Sequence, residues 1–587
     1  MSKIASEVLI ERLSEWGVDT IFGLPGDGIN GLMEGLRRCQ DKVRFVLVHH
    51  EEAAAFMATG YAKSTGRLGV CMATSGPGAI HLLNGLYDAK LDHVPVLALT
   101  GMQESQMLGT GYQQEVALER LYMDVAEYNQ MIHVPVQVPT LVDLAVRHAL
   151  ARRTVSHLTI ATDIQLADAD ANPWEVTAPA VIKPTAPIFL EAPGVPSGSD
   201  LDRAAEVLNG GKKVVILAGA GARHARDEVL STARRLASPI VKTLSGKAVV
   251  PDDDPFTVGG IGLLGTAPAI DVMEGCDTLF MIGTNFPYTK YLPESGKVKV
   301  VQIEADPIRA GNRIATDVPM IGDSKAALSA LLPRLDDKPD RGFLESAQKG
   351  MEDWRKRMRA LEEIEADPIQ PQHLMAIIDR LAADDAILTS DSGTIATWAA
   401  RHFTIRDRRE FYLSGNLATM APGLPYTIAN QWAHPGRQCI AFVGDGGFAM
   451  LMAEFGTACR YRLPIKVVIN NNASLGQIMW EQLVLGYPEY GIRFGQRPDF
   501  APWAEACGGK GIRVDKCDDL EHALVEAFEY PGPALVDVTV NPDEPPMPGK
   551  VQYEQAKGFL KSFLSGQPRR ATIAHTLFRD KLSELKG

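Results

Sequence analysis

Short β-branched runs bounded by glycine, proline and asparagine alternate with longer amphipathic stretches along almost the whole chain. At the amino terminus Ile4, Val8, Leu9 and Leu13 recur at helical spacing and predict a helix with those residues inward. Strands follow over 20–22, 45–48, 69–73 and 94–99, with helices starting at Glu51 and Gly78. Residues 167–199 break the rhythm with prolines at 173, 179, 184, 187, 193 and 196, which reads as a linker. A second alternation has strands over 214–217, 240–243, 278–282 and 299–303, with a helix ending at Leu236. After a charged helix over 354–365, a third set opens at Ile369, with strands over 386–388, 439–443 and 465–469. A helix over 448–461 joins the last two of these strands. Strand–helix alternation of this kind predicts an α/β chain of three doubly wound domains with mainly parallel sheets. Their spans are 1–180, 181–345 and 366–545, followed by a tail over 546–587.

Composition narrows the class. With 45% hydrophobic and 22% charged residues the 587-residue chain reads as globular, and a net charge of −13 argues against nucleic acid as a partner. The seven cysteines lack CxxC spacing, so neither a zinc site nor a disulfide framework is expected and a reducing cytoplasm fits best. The first residues lack a signal-peptide core, and no apolar run approaches the roughly 18–20 residues of a membrane span.

The chemistry concentrates where the strand over 439–443 ends in Gly444-Asp445-Gly446-Gly447 and the strand over 465–469 ends in Asn471-Asn472. A right-handed crossover lays these strands parallel and brings Asp445 and Asn472 to one sheet edge. A carboxylate oxygen, an amide oxygen and glycines that admit close backbone approach suit Mg²⁺ holding a diphosphate. Two plain turns closing two strands remain the alternative. Ser75-Gly76-Pro77-Gly78, Gly219-Ala220-Gly221 and Ser390-Asp391-Ser392-Gly393-Thr394 are further strand-end turns, open both to packing and to ligand readings.

Gly444-Asp445-Gly446, 25 intervening residues (447–471) and Asn472 resemble the metal-diphosphate signature of thiamine diphosphate enzymes. The resemblance runs nearly the whole chain, toward the branch of pyruvate oxidases, the quinone-dependent pyruvate dehydrogenase and acetolactate synthases. It implies thiamine diphosphate and Mg²⁺, with Asp445, Asn472 and the carbonyl of Ser474 as metal ligands, and Gly393, Thr394, Gly444, Gly446 and Gly447 around the diphosphate. His50-Glu51-Glu52-Ala53-Ala54 matches the segment carrying the carboxylate that promotes the reactive tautomer of the aminopyrimidine, so Glu51 takes that role. Pro25, Gly26 and Asn84 are placed near the same ring, and Met420 where a bulky apolar side chain bends the cofactor. Gly219, Gly221, Arg223, Asn285, Glu304 and Asp323 resemble flavin-binding positions and imply FAD, with Glu304 where a ribose-binding Asp is usual.

The substrate loop and helix depart from the family. Relatives carry Phe-Gln-Glu where this chain has Gln113-Gln114-Glu115, and pyruvate oxidases tend to have Phe at Gln477, whereas Gln114, Ile478 and Glu481 match. Gln113 and Gln477 facing one pocket would admit a larger or more polar 2-oxo acid. The expected activity is decarboxylation of a 2-oxo acid, pyruvate first, with oxidation through FAD. The alternatives are a carboligase like acetolactate synthase, whose flavin has no net redox part, and a non-catalytic cofactor-binding subunit. Because the family sets the Glu51 and Asp445 halves on different subunits, a homodimer is the minimum and a homotetramer is common among relatives. The tail's Ile573, Leu577, Leu582 and Leu585 beside Arg569, Arg570, Arg579, Lys581 and Lys586 allow two readings. One is peripheral docking on the inner face of a membrane, the other a strap on the protein or its partner subunit.

Overall fold

The structure is a computed structural model, described for residues 3–170, 186–189, 194–550 and 553–586, with side chains of the last helix to 584. Most of the expected linker, with prolines 173, 179, 184 and 193, lies outside the described residues, as do the boundary at 180 and the Leu585 side chain.

Three sheets organise the chain. The first contains β1 (Thr20–Leu24), β2 (Arg44–Leu47), β3 (Gly69–Ala73), β4 (Val96–Met102), β5 (Tyr128–Ile132) and β6 (Val155–Ala161). The second contains β7 (Val214–Ala218), β8 (Ile240–Lys242), β9 (Thr257–Gly260), β10 (Thr278–Ile282), β11 (Lys299–Glu304) and β12 (Val318–Ile321). The third contains β13 (Ile387–Ser390), β14 (Glu410–Tyr412), β15 (Cys439–Gly444), β16 (Lys466–Asn471), β17 (Lys510–Val514) and β18 (Ala534–Thr539). Neighbouring strands in each sheet run parallel. Both faces are covered by helices, which is why the inner strands read as continuous apolar runs.

Strand order decides where sites can form. The first sheet runs β2-β1-β3-β4-β6-β5 and the third runs β14-β13-β15-β16-β18-β17, the same topology twice. In each, the chain turns to one side after the first strand and returns on the other, opening a crevice beyond the carboxyl ends of β1 and β3, and of β13 and β15. The central sheet runs β12-β11-β10-β7-β8-β9, the order of dinucleotide-binding folds, with its crevice between β7 and β10.

Some local expectations need correction. The helix expected over 448–461 is two segments, Asp445–Leu451 and Glu454–Arg460. They meet at a tightened turn in which Phe455 N donates to Met452 O and Gly456 N to Ala453 O. The charged helix starts at Gly342, well before Trp354, because Leu344 and Ala347 continue its buried stripe, so the boundary expected at 345 falls inside it. In the first helix, Ala5–Glu15, Ile10 is buried with Leu9 and Leu13, whereas Ile4 and Val8 are only half-buried.

The first and third domains share one continuous core, which includes Phe22, Phe56, Tyr426 and Phe455, while the central domain has its own. At their junction helix Glu51–Thr65 lies against helix Gly423–Ala433, the rings of Phe56 and Tyr426 meeting edge to face at 6.3 Å. Beside them Lys63 Nζ donates to Asp92 Oδ2 (2.7 Å), Tyr426 Oη (2.8 Å) and Leu413 O (2.9 Å). Burial raises the Asp92 carboxyl, but Lys63 and the amides of Gly415 and Asn416 outweigh it and hold the group below its usual range.

The tail forms helices Tyr553–Leu564 and Arg570–Lys586, which pack on helix Gly476–Val484 and helix Gly342–Glu362 respectively. Ile573 is buried and Leu577 partly so, but Leu582 is exposed. Arg569 pairs with Asp543 (2.7 Å) and Arg579 with Glu544 (3.0 Å), so part of the basic stripe is neutralised within the protein. No helix among the described residues is long and apolar enough to cross a membrane. All seven cysteines are free.

Candidate functional site

The crevice of the third sheet gathers the residues expected at the diphosphate. Register pairs Gly444 with Asn470, so Asp445 and Asn472 both stand just beyond the strand ends. Asp445 is 2% exposed and its Oδ2 is buried without a hydrogen-bond partner among the described residues. Burial, only partly offset by backbone amides, lifts its carboxyl to about 7. Asn472 Oδ1 accepts from the amide (3.0 Å) and hydroxyl (3.1 Å) of Ser474 across Ala473, whose φ of 54° is left-handed. Met420 rests on the glycine turn, its Cε 3.3 Å from the point a Cβ on Gly446 would occupy. At Gly447 such an atom would stand 2.0 Å from Asp391 Oδ2. Gly393, at φ 130°, opens helix Thr394–His402, and the Thr394 hydroxyl faces Gly476 beside Asn472. A side chain other than glycine is strained at that φ.

Asp391 is a functional candidate that the sequence reading passed over as part of a turn. Its Oδ1 accepts from Gly423 N at 2.7 Å, its Oδ2 is buried without a partner, and burial lifts the carboxyl to about 7. It anchors the Met420 loop, where Ala418 and Ala421 hold φ of 55° and 81°. Non-glycine residues held in this region cost roughly 1–3 kcal/mol each and cluster at ligand clamps.

Glu51 lies at the crevice of the first sheet. It opens helix Glu51–Thr65, is 7% exposed, and its Oε2 lies 2.9 Å from His81 Nδ1. Its Oε1 lies 3.0 Å from where a Cβ on Gly78 would be, so only glycine leaves the carboxylate its place. His50 caps the helix by accepting from Glu52 N (3.1 Å) and stacks on His81 at 4.6 Å. Glu454, from the third domain, accepts the amides of His49 (2.9 Å) and His50 (3.0 Å) and so fixes the backbone leading into Glu51. Neither His81 nor Glu454 carries a local sequence signal, since both act on residues remote in the chain.

The loop of the exposed Pro25 and the half-buried Gly26 lies against Thr74, which accepts from Gly28 N at 3.1 Å. Gln114, at φ 62°, receives the Ser75 hydroxyl at 3.4 Å, while Gln113 is exposed and Glu115 closes the loop by accepting from Gly111 N (2.9 Å) and Tyr112 N (3.1 Å). Asn84 Nδ2 donates to Glu52 Oε1 (2.6 Å) and Thr419 Oγ1 (3.3 Å), away from Glu51 itself. Beyond Ser474, Gln477 Nε2 donates to Glu481 Oε1 at 3.0 Å, leaving Gln477 Oε1 buried without a partner, and Ile478 is 44% exposed. Within one chain, then, Glu51 lies with His50 and His81, and Met420, Asp445 and Asn472 lie together around the glycine turn. No hydrogen bond or ion pair joins Glu51 to Asp445 or Asn472 among the described residues.

At the central crevice Gly219 and Gly221 pack on Gly283 and Thr284, with Gly221 N donating to Gly283 O at 3.0 Å. Arg223 lies 4.5 Å over the Tyr412 ring and its Nε is buried without a partner, as is Asn285 Oδ1. Glu304 and Asp323 are engaged locally. Glu304 Oε1 accepts from Arg309 (2.9 Å) and its own loop, and Asp323 caps helix Ser324–Leu331 through Ala326 N (2.9 Å).

The donor sets fit their expected groups to different degrees. Asp445 offers a buried, unsatisfied carboxylate oxygen beside an amide oxygen and side-chain-free backbone, a donor set suited to Mg²⁺ and diphosphate. At the central crevice the strand order and the unpartnered Arg223 Nε and Asn285 Oδ1 suit a dinucleotide, while Glu304 and Asp323 are already occupied.

Family models cover the three sheets in turn. The N-terminal TPP binding domain of thiamine pyrophosphate enzymes matches residues 4–121, their central domain 201–331, and their C-terminal TPP binding domain 391–538. The chain is 41% identical to YdaP of Bacillus subtilis (strain 168) over 96% of its length and 97% of the relative. It is 30% identical to the pyruvate oxidase of Lactiplantibacillus plantarum (94% and 91%) and to the chloroplastic acetolactate synthase of Arabidopsis thaliana (91% and 81%). With two half-sites at matching crevices and relatives spanning both chains nearly end to end, the protein belongs to the thiamine pyrophosphate enzyme family, in the group that holds pyruvate oxidase and acetolactate synthase.

Proposed function

We propose that the protein decarboxylates a 2-oxo acid, pyruvate first, using thiamine diphosphate and Mg²⁺, and passes the electrons through FAD to an acceptor. The single observation that carries this reading is the third-sheet crevice, where the unsatisfied Asp445 oxygen, Asn472 and Met420 meet on glycine backbone. When bound, thiamine diphosphate supplies the electron sink that makes loss of CO₂ feasible. Asp445, Asn472 and the Ser474 carbonyl would hold the metal, and Met420 would set the bend of the cofactor. Glu51, removed from water and bonded to His81, would hold a proton at the aminopyrimidine ring nitrogen. Because no hydrogen bond or ion pair among the described residues joins Glu51 to Asp445 or Asn472 within one chain, two copies sharing each cofactor is the arrangement we favour, as a homodimer or homotetramer. The tail is read as a strap on the protein, given how Ile573 and Arg569 are spent.

Gln113 and Gln477 support a second reading, a carboligase with a non-redox flavin, since both replace the aromatic side chains of pyruvate oxidases. A visible spectrum of the purified protein before and after anaerobic pyruvate separates the two. Bleaching of bound flavin with acetate as product is expected; an unbleached flavin with an acyloin product would favour the carboligase. Replacing both glutamines by Phe should change the ranking of 2-oxo acids by turnover, and an unchanged ranking would remove them from the pocket.

A further inference from the structure

A cavity of about 400 Å³ lies between the central and third domains, and none of the residues described at the three crevices lines it. Its walls come from β8 and the loop after β9, from helix Gly342–Glu362 that links the two domains, and from the end of helix Thr394–His402. The volume falls in the range of small-molecule pockets.

The charge inside it is unbalanced. Arg355, Arg359 and Arg401 line the cavity, and no carboxylate lies within salt-bridge distance of any of them among the described residues. The lining carboxylates mostly have other partners. Asp252 binds Lys242 (2.6 Å) and Lys247 (2.8 Å), Glu362 binds His402 (2.6 Å), and Asp379 binds Arg409 (2.7 Å). Asp253 also lines the cavity and, like Arg359, is exposed to solvent. Arg401 spends its donors on the carbonyls of Leu263, Leu264, Gly265 and Met547, which fixes its guanidinium in place. Arg355 makes one hydrogen bond, to Asp252 O, and Arg359 makes none among the described residues, so most of their N–H groups are open. Met351, Met358 and Leu264 supply apolar wall between the charged groups.

We propose that this interdomain cavity binds a small organic anion bearing a phosphate, its charge held by Arg355 and Arg359 and its carbon skeleton by the methionine and leucine wall. Two guanidiniums lining one cavity without carboxylate partners suit a polyvalent oxyanion, which they can grip through paired N–H donors.

Isothermal titration of the enzyme saturated with thiamine diphosphate, Mg²⁺ and FAD tests this, with ADP and inorganic phosphate as the probes. ADP should bind saturably and more tightly than inorganic phosphate. Binding should weaken by about tenfold or more in R355Q/R359Q, with thiamine diphosphate affinity unchanged. E352A, at an exposed position on the same helix, should bind ADP like the wild type and reports on helix integrity. Absence of saturable ADP binding, or equal affinity in wild type and R355Q/R359Q, would overturn the assignment. Inorganic phosphate binding as tightly as ADP would overturn the role of the apolar wall.

Discussion

Asp445 and Asp391 share an unusual condition, each burying one carboxylate oxygen with no donor to it and each lifted to about 7 from an ordinary 3.8. Both folded values lie above the unfolded one, so the stability these groups contribute is fully present below pH 3.8 and is lost as pH rises toward about 7. A divalent cation at Asp445 opposes that loss by favouring the ionised form. The rise in melting temperature on adding Mg²⁺ with thiamine diphosphate should therefore be larger at pH 8 than at pH 5.5, read by differential scanning fluorimetry. An equal or smaller rise at pH 8 would contradict Asp445 as a metal ligand. Glu51→Gln should lower turnover by roughly 10²–10⁴-fold while cofactor retention holds. Unchanged turnover with every 2-oxo acid tried would remove Glu51 from the chemistry. The placement of Asp445 and Asn472 at strand ends was legible from the chain because each closes a largely apolar strand. Glu454 was not, since it acts on His49 across 405 positions of sequence. The Arg309 that occupies Glu304 stands only five positions on, but no sequence pattern marks the pair.

At the scale of elements, the edge strand β2 and most inner strands were read, whereas the edge strands β5, β9, β12, β14 and β17 and the buried inner strands β6 and β18 were not. The central β15 is fully apolar before Gly444, whereas β14 at the edge is the three residues Glu410–Tyr412, too short to show a period. Backbone strain was equally invisible, because Gln114, Ala418, Ala421 and Ala473 are ordinary residue types forced to positive φ by what surrounds them. The seating of the tail on helix Gly476–Val484 is similarly a matter of shape. Gly558 meets Val484 so closely that an added Cβ would stand 1.8 Å from its carbonyl oxygen. Gly558→Ala should cost about 1–3 kcal/mol through overpacking and loosen helix Tyr553–Leu564 from helix Gly476–Val484. Limited trypsin digestion should then cleave at Lys557 or Lys561 faster than in the wild type, and equal rates would show that the contact yields without opening.

At the scale of the molecule, the first and third domains repeat one strand order and the central domain follows another, so topology sets where each crevice lies before any side chain is chosen. The alternation of strands and helices showed that there were three such units. It could not show which of them adhere, because that depends on helix faces meeting across hundreds of residues, as Phe56 and Tyr426 do. Their joint core has a calorimetric meaning. A heating scan of the cofactor-free protein should show the first and third domains melting as one cooperative unit, and the central domain, with its separate core, as another. Disrupting the buried ammonium at the seam with Lys63→Met should then lower one of the two heat-absorption peaks and leave its companion in place.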